Sequence, residues 1–535
     1  MKIHSDLKKK NHPFKIRYLL LFSFITVLCA FSAVTAQFFK GSVLDHALEG
    51  NTKKAILYGL LLASIVIFDI ITNYLSDYTR GHFLVEITRK LRSDYFGALL
   101  KKPLSVLINE TQGEYIGKYT NQIDLVSNDF YGTIPLLIDV IVRILFVSVS
   151  LFILDFRIAI ITIVLLTTPL YIPKLLEKKL QSTQSRKVAV FQKHISSVVD
   201  WISGLELIKN SSIESIIHRK MNASLDTVKK SNLEMRIMIY KNKSLSAALS
   251  YLSHLIILIF AAFLVLKKEF TPGNFIIAIG MIDQLSYPII SISVYLQQLI
   301  SARPLLKQLA QEIDNKELDD DTKIDIKKLN NIELIDVCFS YDSSRNLINK
   351  VNLELSTGEK CLIKGQSGSG KTTLINLLLN YRVPSAGKIL INSTPLEKIR
   401  DLGGLVGISR QDTVLFNDTL RNNITMYSDI GDGEIMRLLE DLNLYQYANT
   451  HALESIVEEG GRNLSGGEKR RICLARAFMR RAPLLILDEP LANLDDENAN
   501  IVEDCILKYR ESIVIVISHQ FNKNKEGEFD KIVLI

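Results

Sequence analysis

The chain has 535 residues, 47% of them hydrophobic and 23% charged, too apolar for a disordered protein and too long for one ordinary domain. Its five cysteines, Cys29, Cys338, Cys361, Cys473 and Cys505, form no CxxC pair, which excludes a disulfide scaffold and a structural zinc site and fits a reducing compartment for the C-terminal half. The formal charge of +7 does not point to nucleic acid, because much of the excess lies beside apolar runs, where basic residues orient a membrane protein.

Six stretches have the ~20 apolar residues that a helix needs to cross a hydrocarbon core of ~30 Å. They lie near 17–40, 54–78, 131–154, 157–173, 244–267 and 273–301, and the third and fourth must turn sharply between Asp155 and Arg157. The connections alternate between short (41–53, 155–157, 268–272) and long (79–130, 174–243). The N-terminal tail carries Lys2, Lys8, Lys9, Lys10, Lys15 and Arg17 against Asp6 alone, and in 174–243 Lys and Arg outnumber Asp and Glu about two to one. The positive-inside rule puts both termini and both long loops in the cytoplasm. A secretory signal peptide is the rival reading of the first span, given the small-residue run Ser32–Ala36, but its cleavage would leave the C-terminal half on the wrong side.

The long loops are helical in character. As hairpins of ~25 residues per arm they would project about 37 Å at 1.5 Å per residue. Their tips are expected near Pro103–Tyr115 and Ser203–Arg219.

Composition shifts after Pro304. Residues 311–330 are polar and charged and read as a linker, and strand-like alternation begins at Ile332. The strand-like Lys360–Lys364 leads into Gly365-Gln366-Ser367-Gly368-Ser369-Gly370-Lys371-Thr372-Thr373 and then the helix-like LINLLL. This is a P-loop in its proper context. Backbone N–H groups close around phosphates at a helix N-terminus, Lys371 would bridge the outer phosphates of ATP, and Thr372 would hold Mg²⁺. Farther on, LLILDEP is an apolar strand ending in Asp488, suited to position Mg²⁺, and Glu489, able to polarise the attacking water.

Leu464-Ser465-Gly466-Gly467-Glu468, about twenty residues before Asp488, resembles the signature motif of ATP-binding cassette (ABC) proteins. With six preceding spans, the chain resembles a half-size ABC exporter of the type IV fold. The resemblance implies an all-α six-helix transmembrane domain (1–310), the linker (311–330) and an α/β P-loop nucleotide-binding domain (331–535). It assigns Tyr341 to adenine stacking, Gln411 to Mg²⁺ sensing and contact with the membrane domain, Glu459–Gly461 to contact with the cytoplasmic loops, Asp495 to the loop that crosses to the other subunit, and His519 to the γ-phosphate. Ser465, Gly466, Gly467 and Glu468 would complete the nucleotide site of the opposite subunit. One cassette per chain therefore implies a second half-transporter, read as an identical chain because every motif for two competent sites is present.

Two departures stand out. Glu468 occupies a position where many relatives have glutamine, a change expected to be tolerated, and the chain reaches Ile535 soon after His519. About 17 residues precede the first span, so cargo is expected to arrive without leader removal by this chain. Polar residues within the spans mark a candidate cargo cavity: Asp69 with Asn73, Asp139 with Arg143, His254, and Asp283 with Gln284. Asp139 and Arg143, at i and i+4, can neutralise each other. An acidic cavity favours cationic or amphipathic cargo, read as a small bacteriocin- or pheromone-like peptide leaving a bacterial cell across its plasma membrane. A multidrug exporter or lipid flippase would share the motor, and an ATP-gated channel or regulatory subunit would tolerate damage at Glu489 and His519, which are intact.

Overall fold

The computed structural model describes residues 14–108, 110–168, 171–314, 324–341, 347–366, 368–400 and 402–535. The tail lysines Lys2 to Lys10, residues 315–323 of the expected linker and Ser367 of the P-loop lie outside these. The chain divides into two compact units, Met1–Ala98 with Gly113–Asp314, and Leu99–Gln112 with Asn315–Ile535.

The first unit is helical. Its principal helices are α1 (Phe14–Leu48), α2 (Thr52–Lys101), α3 (Thr133–Leu154), α4 (Phe156–Thr167), α5 (Tyr171–Ser203), α6 (Glu214–Leu266) and α7 (Pro272–Ile313). Among the described residues five helical runs, those containing α1, α2, α3, α6 and α7, are long and apolar enough to cross a membrane. The fourth expected span falls on α4 and the start of α5. The 12 residues of α4 reach only about 18 Å, short of a hydrocarbon core by themselves. Asp155 makes the sharp α3–α4 turn by accepting from the N–H groups of Arg157 (2.8 Å) and Ile158 (3.3 Å), which satisfies two orphan donors of α4.

The core of this unit gathers Val34, Val147, Leu151, Ile158, Ile257, Ala261, Met281 and Leu285, drawn from α1, α3, α4, α6 and α7. By contrast, only 6% of the apolar window of α2 is buried within the chain. That helix offers its apolar surface to lipid or to another chain. The long loops are continuations of the spans. α2 runs to Lys101 before the short helix Leu104–Leu107, and α5 and α6 are joined through Gly204 and the short helix Leu205–Asn210.

In the second unit, β1 (Asn331–Phe339) pairs antiparallel with β2 (Ile348–Ser356) and β4 (Ala386–Ile391). A parallel sheet holds β3 (Lys360–Lys364), β5 (Val406–Ser409), β6 (Leu484–Asp488), β7 (Ile513–Ile517) and β8 (Lys531–Leu534) in the order β8-β3-β7-β6-β5. β6 and β7 are buried along their whole length, as the uninterrupted apolar runs LLIL and IVIVI require of central parallel strands. Their residues alternate between two cores. Leu484, Ile486, Ile513, Ile515 and Ile517 face α8 (Lys371–Leu378) and the antiparallel sheet, while Leu485, Leu487, Val514 and Val516 face α9 (Gly466–Met479) and α10 (Asp496–Lys508). The result is a layered α/β domain with its loops at the C-terminal strand ends, where such folds bind ligands.

Candidate functional site

The loop between β3 and α8 is shaped by close approach. A Cβ at Gly365 would lie 2.5 Å from both Ile535 O and Ser369 Oγ, so only glycine fits there. Gly370 has φ +104° just before α8, a left-handed conformation that side chains resist. Lys371 Nζ folds back over this loop, donating to the carbonyls of Gly365 (2.8 Å) and Gln366 (3.0 Å). Thr372 is exposed at the mouth, whereas Thr373 is buried and bonded to the Tyr341 hydroxyl at 3.2 Å. The Tyr341 ring is exposed and edge-on to Phe339.

The other strand ends converge on the same edge. Asp488 closes β6 and is buried, and that burial pushes its carboxyl above the usual range against the pull of Arg410. Glu489 follows at φ +48°, its N–H donating to Ile517 O at 2.8 Å. This crossing bond ties the β6 end to β7. Its Oε1 accepts from His519 Nδ1 at 2.9 Å. Glu489 Oε2, Ser369 Oγ and Ser409 Oγ are buried without a hydrogen-bond partner among the described residues. Three orphaned polar atoms on segments around one phosphate loop fit a site that holds a polar ligand. No group of three His, Cys, Asp or Glu converges among the described residues. Thr372 and Asp488 bring oxygen donors to this edge, a set that suits a hard cation sharing phosphate oxygens, as Mg²⁺ does. Gln411 is exposed just past β5, and its neighbour Arg410 bonds Asn376 Oδ1 at 3.0 Å.

The signature segment is built separately. Ser465 caps α9 and accepts from the Glu468 N–H at 3.3 Å, while Glu468 Oε2 accepts from the Ser465 N–H at 2.7 Å, a reciprocal capping box. Glu468 Oε1 accepts further bonds from Gln446 (3.0 Å) and the Tyr447 hydroxyl (3.1 Å). The hydrogen bonds of Ser465 run to Glu468 and Lys469, not to the P-loop. Gly466 and Gly467 open the first turn, leaving the positive end of α9 directed outward from a fixed cap. Asp495 caps α10 and accepts from Asn498. Gly460 and Gly461, of the segment before the signature, both take positive φ.

Sequence reasoning missed Arg410, Gln446, Tyr447 and Asn498. The signal was faint: each is a polar residue in a loop or on a helix edge. Arg470 and Arg471, buried in α9, were legible only as breaks in its apolar face.

In the helical unit the polar residues fall into two sets. Asp69 accepts from Ser32 at 2.6 Å, joining α2 to α1. Arg143 donates to Asp139 at 2.8 Å and to Asn73 at 3.3 Å, joining α3 to α2. The Asp139–Arg143 neutralisation expected from their spacing is therefore present. Asp283 belongs to the second set, 3.5 Å from His254 Nε2, which also meets Ser286 at 2.9 Å. Gln284 donates to the Ala33 carbonyl at 3.0 Å.

Two family profiles match the chain. The family profile described as ABC transporter transmembrane region matches residues 19–289, and the one described as ABC transporter matches residues 348–492. The chain is 25% identical to the lactococcin-G-processing and transport ATP-binding protein LagD of Lactococcus lactis subsp. lactis, over 93% of this chain and 72% of that protein. It is 27% identical to the putative multidrug export ATP-binding/permease protein YgaD of Bacillus subtilis, over 92% and 86%. Identity to an ATP-dependent lipid A-core flippase of Syntrophus aciditrophicus is 24%, over 100% and 90%. The solved structure of a bacterial Atm1-family ABC exporter with ATP bound shares the fold, with a TM-score of 0.82 at 19% identity over 98% of this chain and 94% of that one.

Proposed function

The chain belongs to the ABC transporter family as an ATP-hydrolysing exporter, and we propose that its cargo is a small cationic or amphipathic peptide, carried out of a bacterial cell by a homodimer in the plasma membrane. The observation that carries the cargo reading is charge balance between the helices. Arg143 is matched by Asp139, whereas Asp69 has a neutral partner in Ser32 and Asp283 is largely exposed. An acidic surplus at membrane depth attracts cations and repels anions. Likeness to a lactococcin-G transporter supports a peptide. Likeness to multidrug exporters and a lipid flippase supports the competing reading, a drug or lipid.

In this reading both termini and the nucleotide-binding unit are cytoplasmic. Tyr341 stacks on adenine, and the loop Gly365–Thr373 receives the phosphates, with Lys371 released from the carbonyls of Gly365 and Gln366. Thr372, Asp488 and Gln411 would hold Mg²⁺, which neutralises phosphate charge when bound. Glu489 accepts a proton from the attacking water, and His519 holds Glu489 in place. Ser465, Gly466, Gly467 and Glu468, with Asp495, serve the nucleotide of the second chain. Removing the γ-phosphate then releases the two halves.

The test is a mass-spectrometric comparison of medium and cell contents between native cells and cells carrying Glu489→Gln. A peptide that vanishes outside and accumulates inside supports the reading. An unchanged peptide profile with the variant present in the membrane overturns it in favour of drugs or lipids.

A further inference from the structure

Arg471 lies in the signature helix α9 with 8% of its surface exposed. An arginine stripped of water is costly unless its donors are used. The two hydrogens of its Nη1 are shared among the carbonyls of Leu442 (3.1 Å) and Asn443 (2.7 Å) and Asn498 Oδ1 (2.5 Å), while its Nε is buried without a partner among the described residues. Asn443 Nδ2 donates to the same Oδ1 at 2.9 Å. With two donors on its oxygen, the Asn498 amide can face only one way. Its Nδ2 therefore points at Asp495, donating to Oδ1 at 2.9 Å and Oδ2 at 3.0 Å, while the Asn498 backbone N–H adds a third bond at 2.8 Å. These bonds hold the Asp495 carboxyl below the usual carboxylate range.

We infer that Asn498 is a positioning residue for ATP hydrolysis, locking the signature helix through Arg471 to the Asp495 loop so that both move as one piece. The inference rests on the composite-site reading above, in which the Ser465 segment and Asp495 serve the nucleotide of the second chain. An Asn498 amide has one acceptor end and one donor end, and both are used. A side chain with only acceptors or only donors could satisfy Arg471 or Asp495 but not both.

The discriminating variant is Asn498→Asp in the full-length transporter, reconstituted in lipid nanodiscs. It keeps the size and the acceptor for Arg471 but turns an oxygen toward Asp495. Asn498→Ala removes both links. Both variants should lower kcat for ATP by roughly tenfold or more, the cost of a lost hydrogen bond to a charged group, with KM within about twofold of native. Asn498→Asp should lower the melting temperature no more than Asn498→Ala does. A native kcat in Asn498→Asp would overturn the inference, as would a kcat loss accompanied by a raised KM and a lowered melting temperature, which marks a merely structural role. Ser465→Ala run in parallel separates the two levels. If it hydrolyses ATP at the native rate, the composite-site reading fails; if it is slowed while Asn498→Asp turns over normally, only the relay fails.

Discussion

His519 Nδ1 lies 2.9 Å from Glu489 Oε1, joining the segment that leaves β7 to the segment that leaves β6. An ionised carboxylate only accepts, so the proton of this bond sits on Nδ1 and Nε2 is left for another partner. The carboxylate is buried while the ring is exposed, so the histidine can turn away without opening the core.

Two side chains that act through one bond should not contribute additively. Glu489→Gln is expected to reduce ATP turnover by about a hundredfold or more, as loss of a general base does. His519→Ala should cost about tenfold, and the double variant should be no worse than Glu489→Gln alone. Steady-state ATPase rates of the four proteins test this. Losses that multiply would show that the two residues work independently.

Lys371 spends two donors on its own loop, at Gly365 O and Gln366 O. Lys371→Ala therefore removes bonds within the loop as well as a cation for phosphate. Loss of one charge-assisted bond costs about 1.5–3 kcal/mol, or ten- to a hundredfold in ATP affinity. The rise in melting temperature that ATP produces in the native protein should shrink accordingly. An undiminished rise would rule out Lys371 as a phosphate ligand.

Glu468 accepts from three donors, Ser465 N–H, Gln446 and the Tyr447 hydroxyl. Glutamine there must turn its NH₂ toward at least one of them, so the change is not neutral in this chain. Glu468→Gln should destabilise by about 1–2 kcal/mol, the worth of a capping interaction. Burial pushes the Glu468 carboxyl up, but the bonds from Ser465, Gln446 and Tyr447 outweigh it and hold the group below the ordinary value of 4.5. A depressed carboxylate stabilises the fold above its ordinary value, and that contribution is lost as pH falls through the folded value. Melting curves from pH 6 to 3.5 should therefore converge, the native protein losing more stability than the variant. Parallel curves would contradict the assignment.

The nucleotide unit was legible because its chemistry is contiguous in the chain: strand, Gly365–Thr373 and helix in one run, and LLILDEP in another. The sign that Glu468 is an acceptor hub was not legible, since Gln446 and Tyr447 lie about twenty residues upstream and meet it only when the chain folds. Span positions were legible from apolar length, yet the fourth falls on a 12-residue helix ending at Thr167 and on the start of the one that begins at Tyr171, because a hydropathy window registers apolar length and not helix ends. Among the polar membrane residues, the i,i+4 spacing foretold Asp139 with Arg143. The partnerships of Asp69 with Ser32 and of Asp283 with His254 depend on which helices pack together, and no local pattern encodes that.

That packing separates two kinds of carboxylate in the helical unit. Asp139 neutralises Arg143, so Asp139→Asn, whose amide oxygen still accepts, should leave a half-buried guanidinium without its counter-charge and cost about 1–3 kcal/mol of stability, seen as lower yield and melting temperature. Asp69→Asn can still accept from Ser32, and Asp283→Asn can still meet His254, so neither should unfold the protein. What they remove is negative charge. In inside-out vesicles the Asp69→Asn/Asp283→Asn protein should keep basal ATPase activity but take up a cationic amphipathic peptide several-fold less well, with uptake of a neutral analogue unchanged. In a water-filled cavity a unit charge contact at ~4 Å is worth about 1 kcal/mol, or about fivefold, so losing one or two such contacts supports an effect of that order. Equal uptake of the cationic peptide by native and double-variant vesicles would sink the acidic-cavity reading, while leaving the ATP site as described.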